Sequence, residues 1–146
     1  MRHQESRLLA WSLVGVLSIS VGWQVAAAQT PAAAPKTTIV SPKNGDVVTG
    51  PSVHVVLAAQ GIEIAAAAEK KPGTAHHHLF LDTNLTSPDS AIPFGVAGIV
   101  HLGKGQSEYT FDTVAPGSHR LIDVLADPNH VPLKPWVVDT VTFTVK

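Results

Sequence analysis

The chain of 146 residues contains no cysteine and a single methionine, Met1. The lack of cysteine excludes a disulfide framework, a zinc ribbon, an iron–sulfur cluster and a thiol nucleophile. Charged residues are also few. The chain has ten Lys and Arg residues and eleven Asp and Glu residues, so its net charge is -1. This balance excludes both the basic surface typical of a nucleic-acid-binding protein and an acidic disordered tail. The length suits one domain of ordinary size.

A long apolar run occurs only at the start of the chain, where Leu8–Val21 follows the basic residues Arg2 and Arg7. Three alanines then supply a cleavage pattern, so residues 1–28 are predicted to be a signal peptide cleaved after Ala28. The alternative is an uncleaved anchor, but the run is shorter than the roughly 20 residues that a spanning helix needs. We therefore expect an exported protein, periplasmic or secreted, with no membrane attachment after cleavage.

The composition of the sequence changes after Ala28. Residues 29–36 (QTPAAAPK) are rich in Pro and Ala and are predicted to form an extended linker. From residue 37 to residue 146, short β-branched runs alternate with Gly, Pro, Asn and Asp, a pattern that predicts an all-β, immunoglobulin-like antiparallel β-sandwich of about seven strands. The predicted strands are Thr37–Val40, Ser52–Ala59, His76–Asp82, Ile99–Leu102, Glu108–Asp112, His119–Ala126 and Val138–Val145.

Three local patterns add detail to this sandwich. Ala65–Lys71 favours helix, but at this length it is expected to form at most one or two turns. Gly103–Ser107 lacks the spacing of a phosphate-binding loop and is predicted to connect its two flanking strands as a hairpin. In the sixth predicted strand, Asp123 shares a face with Leu121 and Leu125, so we expect a shielded carboxylate that needs a partner.

The histidines carry the chemistry that this sequence offers. His76 and His78 stand at positions i and i+2 of a predicted strand, so their imidazoles point to one side, about 6–7 Å apart at the backbone. Such a pair can chelate a metal ion, and His101 and His130 are the expected further ligands. Because no Cys or Met follows Met1, soft ligands for Cu(I) are lacking, and an imidazole set suits Zn²⁺, Cu²⁺ or Ni²⁺. Of these, Cu²⁺ and Zn²⁺ are the ions that a periplasmic site is expected to meet. Affinity is expected to fall as the pH drops through about 6.5, since imidazoles bind metals in the neutral form.

A metal-free alternative remains open for the same residues. Histidines also serve as hydrogen-bonding groups in protein cores, and a sandwich exposes edge strands that pair with other chains. The protein would then be a structural or protein-interaction module with a periplasmic partner, and its histidines would form a hydrogen-bond network. The chain has no GxSxG, SxxK or HExxH motif, so enzyme activity is not the favoured interpretation.

Five short motifs occur in a fixed order along the chain, and they are HHHLFLD at 76–82, IP at 92–93, HLGKGQSE at 101–108, PGSH at 116–119 and DPNHVP at 127–132. This order resembles the bacterial exported family described as domain of unknown function 4399, over roughly residues 41–146. The resemblance implies a small exported β domain and brings no established activity. Leu102 and Asp123 depart from the family pattern, which has an aromatic and an apolar residue there.

The same motifs, together with the departure at Asp123, indicate which residues would support the four expected ligands. Residues around a metal site orient its imidazoles through their second ring nitrogen. His119, at the entry to a strand, is also expected to tie the corner of the sandwich to the backbone, as a tyrosine often does. The expected supporting residues are His77, Asp82, Gln106, His119, Asp123 and Asp127.

Overall fold

The structure, a computed structural model, describes residues 33–146. The predicted signal peptide and residues 29–32 of the predicted linker lie outside the described residues. In the described part the strands are β1 (Lys36–Ser41), β2 (Val47–Val48), β3 (Val53–Gln60), β4 (Glu63–Ile64), β5 (Thr74–Leu81), β6 (Ile99–His101), β7 (Glu108–Phe111), β8 (Gly117–Ala126) and β9 (Val138–Val145).

The strands form two sheets. The smaller sheet has the order β1-β3-β7, and the larger sheet has the order β2-β9-β8-β5. Two short strands share the remaining edge of β5, with β4 beside Thr74 and Ala75 and β6 beside residues 78–80. The fold is therefore all-β and immunoglobulin-like, as predicted. The seven predicted strands are all present, with ends shifted by about two residues or fewer.

The main core lies between the two sheets and follows the alternation of the strands. Val53, Val55 and Leu57 of β3 point inward, while the residues between them are exposed or partly exposed. In β9, Val141, Phe143 and Val145 are buried, and the threonines between them are more exposed, as the alternating sequence predicts. This pattern is the one expected for strands with one face on the core and one face in water.

The outer face of the larger sheet carries a second apolar cluster. Phe80, Ile122 and Val124 lie there, and Ile92 from the long loop of residues 82–98 packs against them. Because this loop covers the outer face, residues 121–126 of β8 are buried on both faces. The same cover buries the part of β5 that contains the histidines.

The prediction of a hairpin at Gly103–Ser107 is wrong. β6 pairs with β5 in the larger sheet and β7 pairs with β3 in the smaller sheet, so the segment crosses between the sheets. Two backbone hydrogen bonds explain this path, from Leu102 N–H to the His77 carbonyl and from Leu57 N–H to the Ser107 carbonyl.

The helix-favouring stretch Ala65–Lys71 forms one 3₁₀ turn, Ala67–Glu69. This agrees with the one or two turns expected from its length. Along residues 33–146, no helix is long and apolar enough to cross a membrane.

Candidate metal centre

Strand β5 places two of its three consecutive histidines on the outer face of the larger sheet. His76 and His78 share this face with Phe80, and both side chains are completely buried. Their neighbours on β8 are Ala126 and Val124, small or medium residues that leave room for two imidazole rings. The ring centroids lie 4.8 Å apart, and the two Nε2 atoms are 2.9 Å apart.

His101 reaches the same place from the neighbouring strand. It is the last residue of β6 and pairs directly with His78 across the two antiparallel strands. Its ring centroid lies 4.9 Å from those of both His76 and His78. Gly103 lies immediately beside the ring, and a Cβ atom at this position would collide with it. The sequence therefore leaves space for the His101 ring by placing a glycine two residues later.

His130 comes from a tight turn after β8. The Asp127 carboxylate accepts hydrogen bonds from the backbone N–H groups of Asn129 and Val131, on either side of His130. His130 itself has a positive φ of 69°, and its carbonyl accepts a hydrogen bond from Ile92 N–H. This turn therefore holds His130 against the long loop. Its ring centroid lies 5.0 Å from that of His76, 4.8 Å from His101 and 5.9 Å from His78.

The four expected ligands are thus together, and three of them form a tighter group. Ligand nitrogens of His76, His78 and His101 all lie within 4.8 Å of one another. His76 Nδ1, His78 Nδ1 and His101 Nε2 are buried and have no hydrogen-bond partner among the described residues. A buried polar group without a partner costs about 1–3 kcal/mol. A polar or cationic partner for these nitrogens would therefore stabilise the cluster.

Burial keeps these imidazoles neutral. Loss of hydration, together with the smaller effect of the neighbouring imidazoles, lowers the pKa of His76 to about 4 and that of His78 to about 2. The pKa of His101 is lowered by the same two causes, burial first and His130 second. The Asp127 carboxylate opposes the shift at His76, but burial outweighs it. At neutral pH the rings of His76, His78 and His101 therefore offer lone pairs, the form in which imidazole binds a metal.

Phe94 is the residue of the site that the sequence did not reveal. It lies on the long loop, and its ring packs edge-on against His101 and His130, with centroid distances of 4.8 Å to each. The ring is still 60% exposed, so it covers the two outer histidines from the solvent side. The only sequence signal was its place in Ile92–Gly95, inside the connection between two histidine-containing strands.

His77 points the opposite way, into the core between the sheets. Its Nδ1 lies 2.9 Å from the Asp123 carboxylate, and Thr37 of β1 donates a hydrogen bond to the same carboxylate. His77 and Asp123 are completely buried. Asp123 is thus shielded and partnered, as its alternation predicted. Both residues lie on the face of the larger sheet opposite the histidine cluster, so neither contacts the rings that they were expected to orient.

Asp82 and His119 form a separate pair at the end of β5. His119 Nδ1 lies 2.6 Å from the Asp82 carboxylate, and His119 Nε2 donates to the Ala115 carbonyl at 2.7 Å. Asp82 also accepts a hydrogen bond from Arg120 N–H. These contacts tie the entry of β8 to the end of β5, the corner role expected for His119. Gln106 accepts a hydrogen bond from Lys104 N–H within the crossover loop.

Comparison with known proteins gives a family match and some matching solved structures. A family model described as "Domain of unknown function (DUF4399)" matches residues 55–146. No curated protein matches the chain. Among solved structures, an engineered protein shares 10% identity at a TM-score of 0.49, with 79% of this chain and 21% of that chain covered. The fibronectin(III)-like modules of Clostridium thermocellum CbhA share 16% identity at a TM-score of 0.45, with 75% of this chain and 95% of that chain covered.

Proposed function

Because the chain belongs to the DUF4399 family, whose description names no activity, we propose a function from the site itself. The protein binds one divalent transition-metal ion, Cu²⁺ or Zn²⁺, through His76, His78, His101 and His130. The observation that carries this proposal is the set of buried nitrogens without partners, whose rings face one another. A cation bound among them supplies a partner that residues 33–146 do not.

The chemistry of the cluster supports a transition metal over other ligands. Imidazole nitrogen is a donor that suits Zn²⁺ and Cu²⁺, whereas Ca²⁺ and Mg²⁺ prefer oxygen. His76, His78 and His101 are held neutral by burial, so these three need not lose protons when an ion binds. The Asp127 carboxylate is close enough to influence the His76 ring, and it would partly balance the charge of the ion.

One contact favours the alternative, a metal-free module whose histidines bond to each other. The Nε2 atoms of His76 and His78 are within hydrogen-bond distance, so one ring can donate to the other. This bond satisfies one nitrogen on each ring and leaves the second nitrogen of both rings buried, with no partner in the described part of the chain. The network is therefore incomplete, and we favour metal binding.

Titration calorimetry of Cu²⁺ and Zn²⁺ into tag-free protein tests the proposal. Wild-type protein should bind one ion, and His78→Ala should bind it at least tenfold more weakly. His54→Ala is the matched control, because His54 is an exposed histidine on β3 that bonds to Thr110. A wild-type protein that binds no more tightly than His78→Ala and His130→Ala would rule out the metal site. Its melting temperature would then not change on addition of Cu²⁺, Zn²⁺ or Ni²⁺.

We also propose where in or outside the cell the protein binds the ion. The basic start, the apolar run and the small residues before residue 29 support export and cleavage after Ala28. The mature protein would then meet metal ions in the periplasm or outside the cell. Intact-mass analysis of periplasmic material should give a chain that starts at Gln29. A mass that retains residues 1–28 would contradict cleavage.

A further inference from the structure

We propose, resting on the metal-binding function above, that the ring of Phe94 is the gate of the site. The ion enters and leaves past His101 and His130 when this ring swings away from them. The gate sets how fast the ion exchanges, and it contributes little to how tightly the ion is held.

The four histidine rings differ in their access to solvent. His76 and His78 are completely buried, whereas His101 and His130 are partly exposed. The buried pair stands on β5, which has β8 on one side and β6 on the other. These strands close the site beneath and beside the buried pair. An ion that arrives from solvent therefore meets His101 and His130 first.

Phe94 covers this way into the site. Its ring packs edge-on against both outer histidines, with centroid distances of 4.8 Å to His101 and to His130. Along residues 33–146 it makes no such ring contact with His76 or His78. Phe94 is also 60% exposed, so the far side of its ring borders water. The ring therefore lies across the entrance and separates the outer histidines from solvent.

The loop that carries Phe94 is fixed at two points, with a less restrained stretch between them. Ile92 is buried, and its N–H donates a backbone hydrogen bond to the turn after β8. Gly98 accepts a hydrogen bond from Leu81 N–H, and a Cβ atom at Gly98 would lie only 2.6 Å from the Leu81 carbonyl oxygen. Between these two points, no backbone–backbone hydrogen bond within residues 33–146 holds Phe94.

Gly95 supplies a hinge directly beside the gate. It has a positive φ of 69°, and a Cβ atom at this position would meet nothing within 4 Å. Because glycine adopts both signs of φ at little cost, the backbone next to Phe94 can rotate. The ring can then leave the two outer histidines while Ile92 and Gly98 stay in place. Opening of such loops commonly limits the rate at which a ligand leaves a closed site.

The alternative role for Phe94 is a static support that holds the outer rings in place. The two roles differ in the rates that they change. Loss of a support speeds release and weakens binding to the same extent, whereas loss of a gate speeds release and association together. Because the dissociation constant is the release rate divided by the association rate, loss of a gate leaves the dissociation constant nearly unchanged.

The test measures affinity and release separately, for Cu²⁺ and for Zn²⁺, in tag-free protein. Calorimetry gives the dissociation constant, and stopped-flow transfer of the bound ion to an excess of a coloured chelator gives the release rate. We expect Phe94→Ala to release the ion about tenfold faster or more, with a dissociation constant that changes by less than about threefold. Val96→Ala is the matched control, because Val96 is a second exposed apolar residue of the same loop, and it should change neither quantity.

A second measurement uses metal-free protein. Diethyl pyrocarbonate modifies accessible neutral imidazoles, and peptide mass spectrometry locates the modified residues. In Phe94→Ala, His101 and His130 should be modified several-fold faster than in wild type. The internal reference in each sample is His54, whose side chain is 55% exposed. Val96→Ala should leave the rates at both outer histidines as they are in wild type.

The outcomes separate the gate from the function on which it rests. If wild-type protein binds neither ion, both proposals are overturned. If wild type binds an ion, three results overturn the gate alone: release from Phe94→Ala that is no faster, faster release in proportion to a weaker dissociation constant, or unchanged modification of the outer histidines. Continued protection of His76 and His78 in the modified samples shows that the variant is folded.

Discussion

Replacing Gly103 by alanine tests whether the His101 ring takes part in binding the ion. The new Cβ atom would collide with the ring, and the His101 Nδ1 atom alone would lie only 2.9 Å from it. Ordinary contacts to a Cβ atom are 3.4–4 Å. The nearer ring atoms make the overlap larger, so we expect the ring to move by about 1 Å or more. Metal–nitrogen distances tolerate changes of only about 0.2 Å, and such a movement would take His101 out of bonding range.

The expected loss of metal affinity for Gly103→Ala is about 10–100-fold, the usual effect of disturbing the support of a ligand. The fold should be nearly unaffected, for two reasons. Gly103 is not among the glycines with positive φ, so alanine can adopt its backbone conformation. The obstacle is a partly exposed side chain and not the backbone. Melting temperature and calorimetry on the same samples separate the two effects.

A double-mutant cycle makes the reasoning refutable. In a His101→Ala background the ring is absent, so Gly103→Ala should change metal affinity by less than about twofold. If Gly103→Ala weakens binding equally with and without the His101 ring, the glycine acts through the backbone. Unchanged affinity in the Gly103→Ala single variant would show that His101 is not a ligand.

Three further predictions concern the other polar groups. Asp123→Ala should lower the free energy of unfolding, measured in urea, by about 3–5 kcal/mol, because it leaves His77 buried without its charged partner. The double variant His77→Leu/Asp123→Leu should lose much less stability. Equal losses of stability in the two variants would contradict this reasoning. Although partial burial opposes the shift, the hydrogen bonds to Asp82 and Ala115 raise the pKa of His119. The stability that wild type gains over His119→Gln should therefore be complete below pH 6.5 and should disappear as the pH rises through the pKa of His119 in the folded protein. A stability difference between the two proteins that grows with pH would refute this prediction. Because burial lowers the pKa of His76 to about 4 and that of His78 to about 2, these two imidazoles should take up protons only near pH 4 or below, while the metal-free protein loses stability below pH 6.5 as the unfolded chain takes up protons. An NMR titration of the metal-free protein in which either ring is protonated near pH 6.5 would refute this.

The fold was predictable because its strands repeat simple patterns. The alternation of Val141, Phe143 and Val145 with threonines marks one buried face, and the turns between strands contain Gly, Pro and Asn. The two-residue strands β2 and β4 are too short for any pattern, since their pairing depends on neighbours distant in the chain. The hairpin prediction failed for a related reason. The glycines near residue 103 indicate a tight path, but they do not indicate which sheet receives the next strand.

The sequence indicated which histidines cluster, but it did not indicate how the cluster is built. Alternation along β5 placed His76 and His78 on one face, and that holds in the structure. The partnership of His101 depends on the pairing of β6 with β5, which no local pattern contains. The turn at His130 depends on two backbone bonds to Asp127, and the cover by Phe94 depends on the path of a long loop. These features arise from tertiary contacts, so the sequence supplied only the candidate residues.

Three identical side chains on β5 have different chemistry because the strand turns them towards different surroundings. His77 faces Asp123 and Thr37, so its Nδ1 has a charged partner inside the core and serves to join the sheets. His76 and His78 face other imidazoles, and each keeps a buried Nδ1 without a partner among the described residues, as His77 keeps its Nε2. Metal affinity and fold stability should therefore depend on different members of the same triplet. His77 variants should change the free energy of unfolding more than the affinity, and His78 variants the reverse, because the two faces of one strand share a backbone but no side-chain contact.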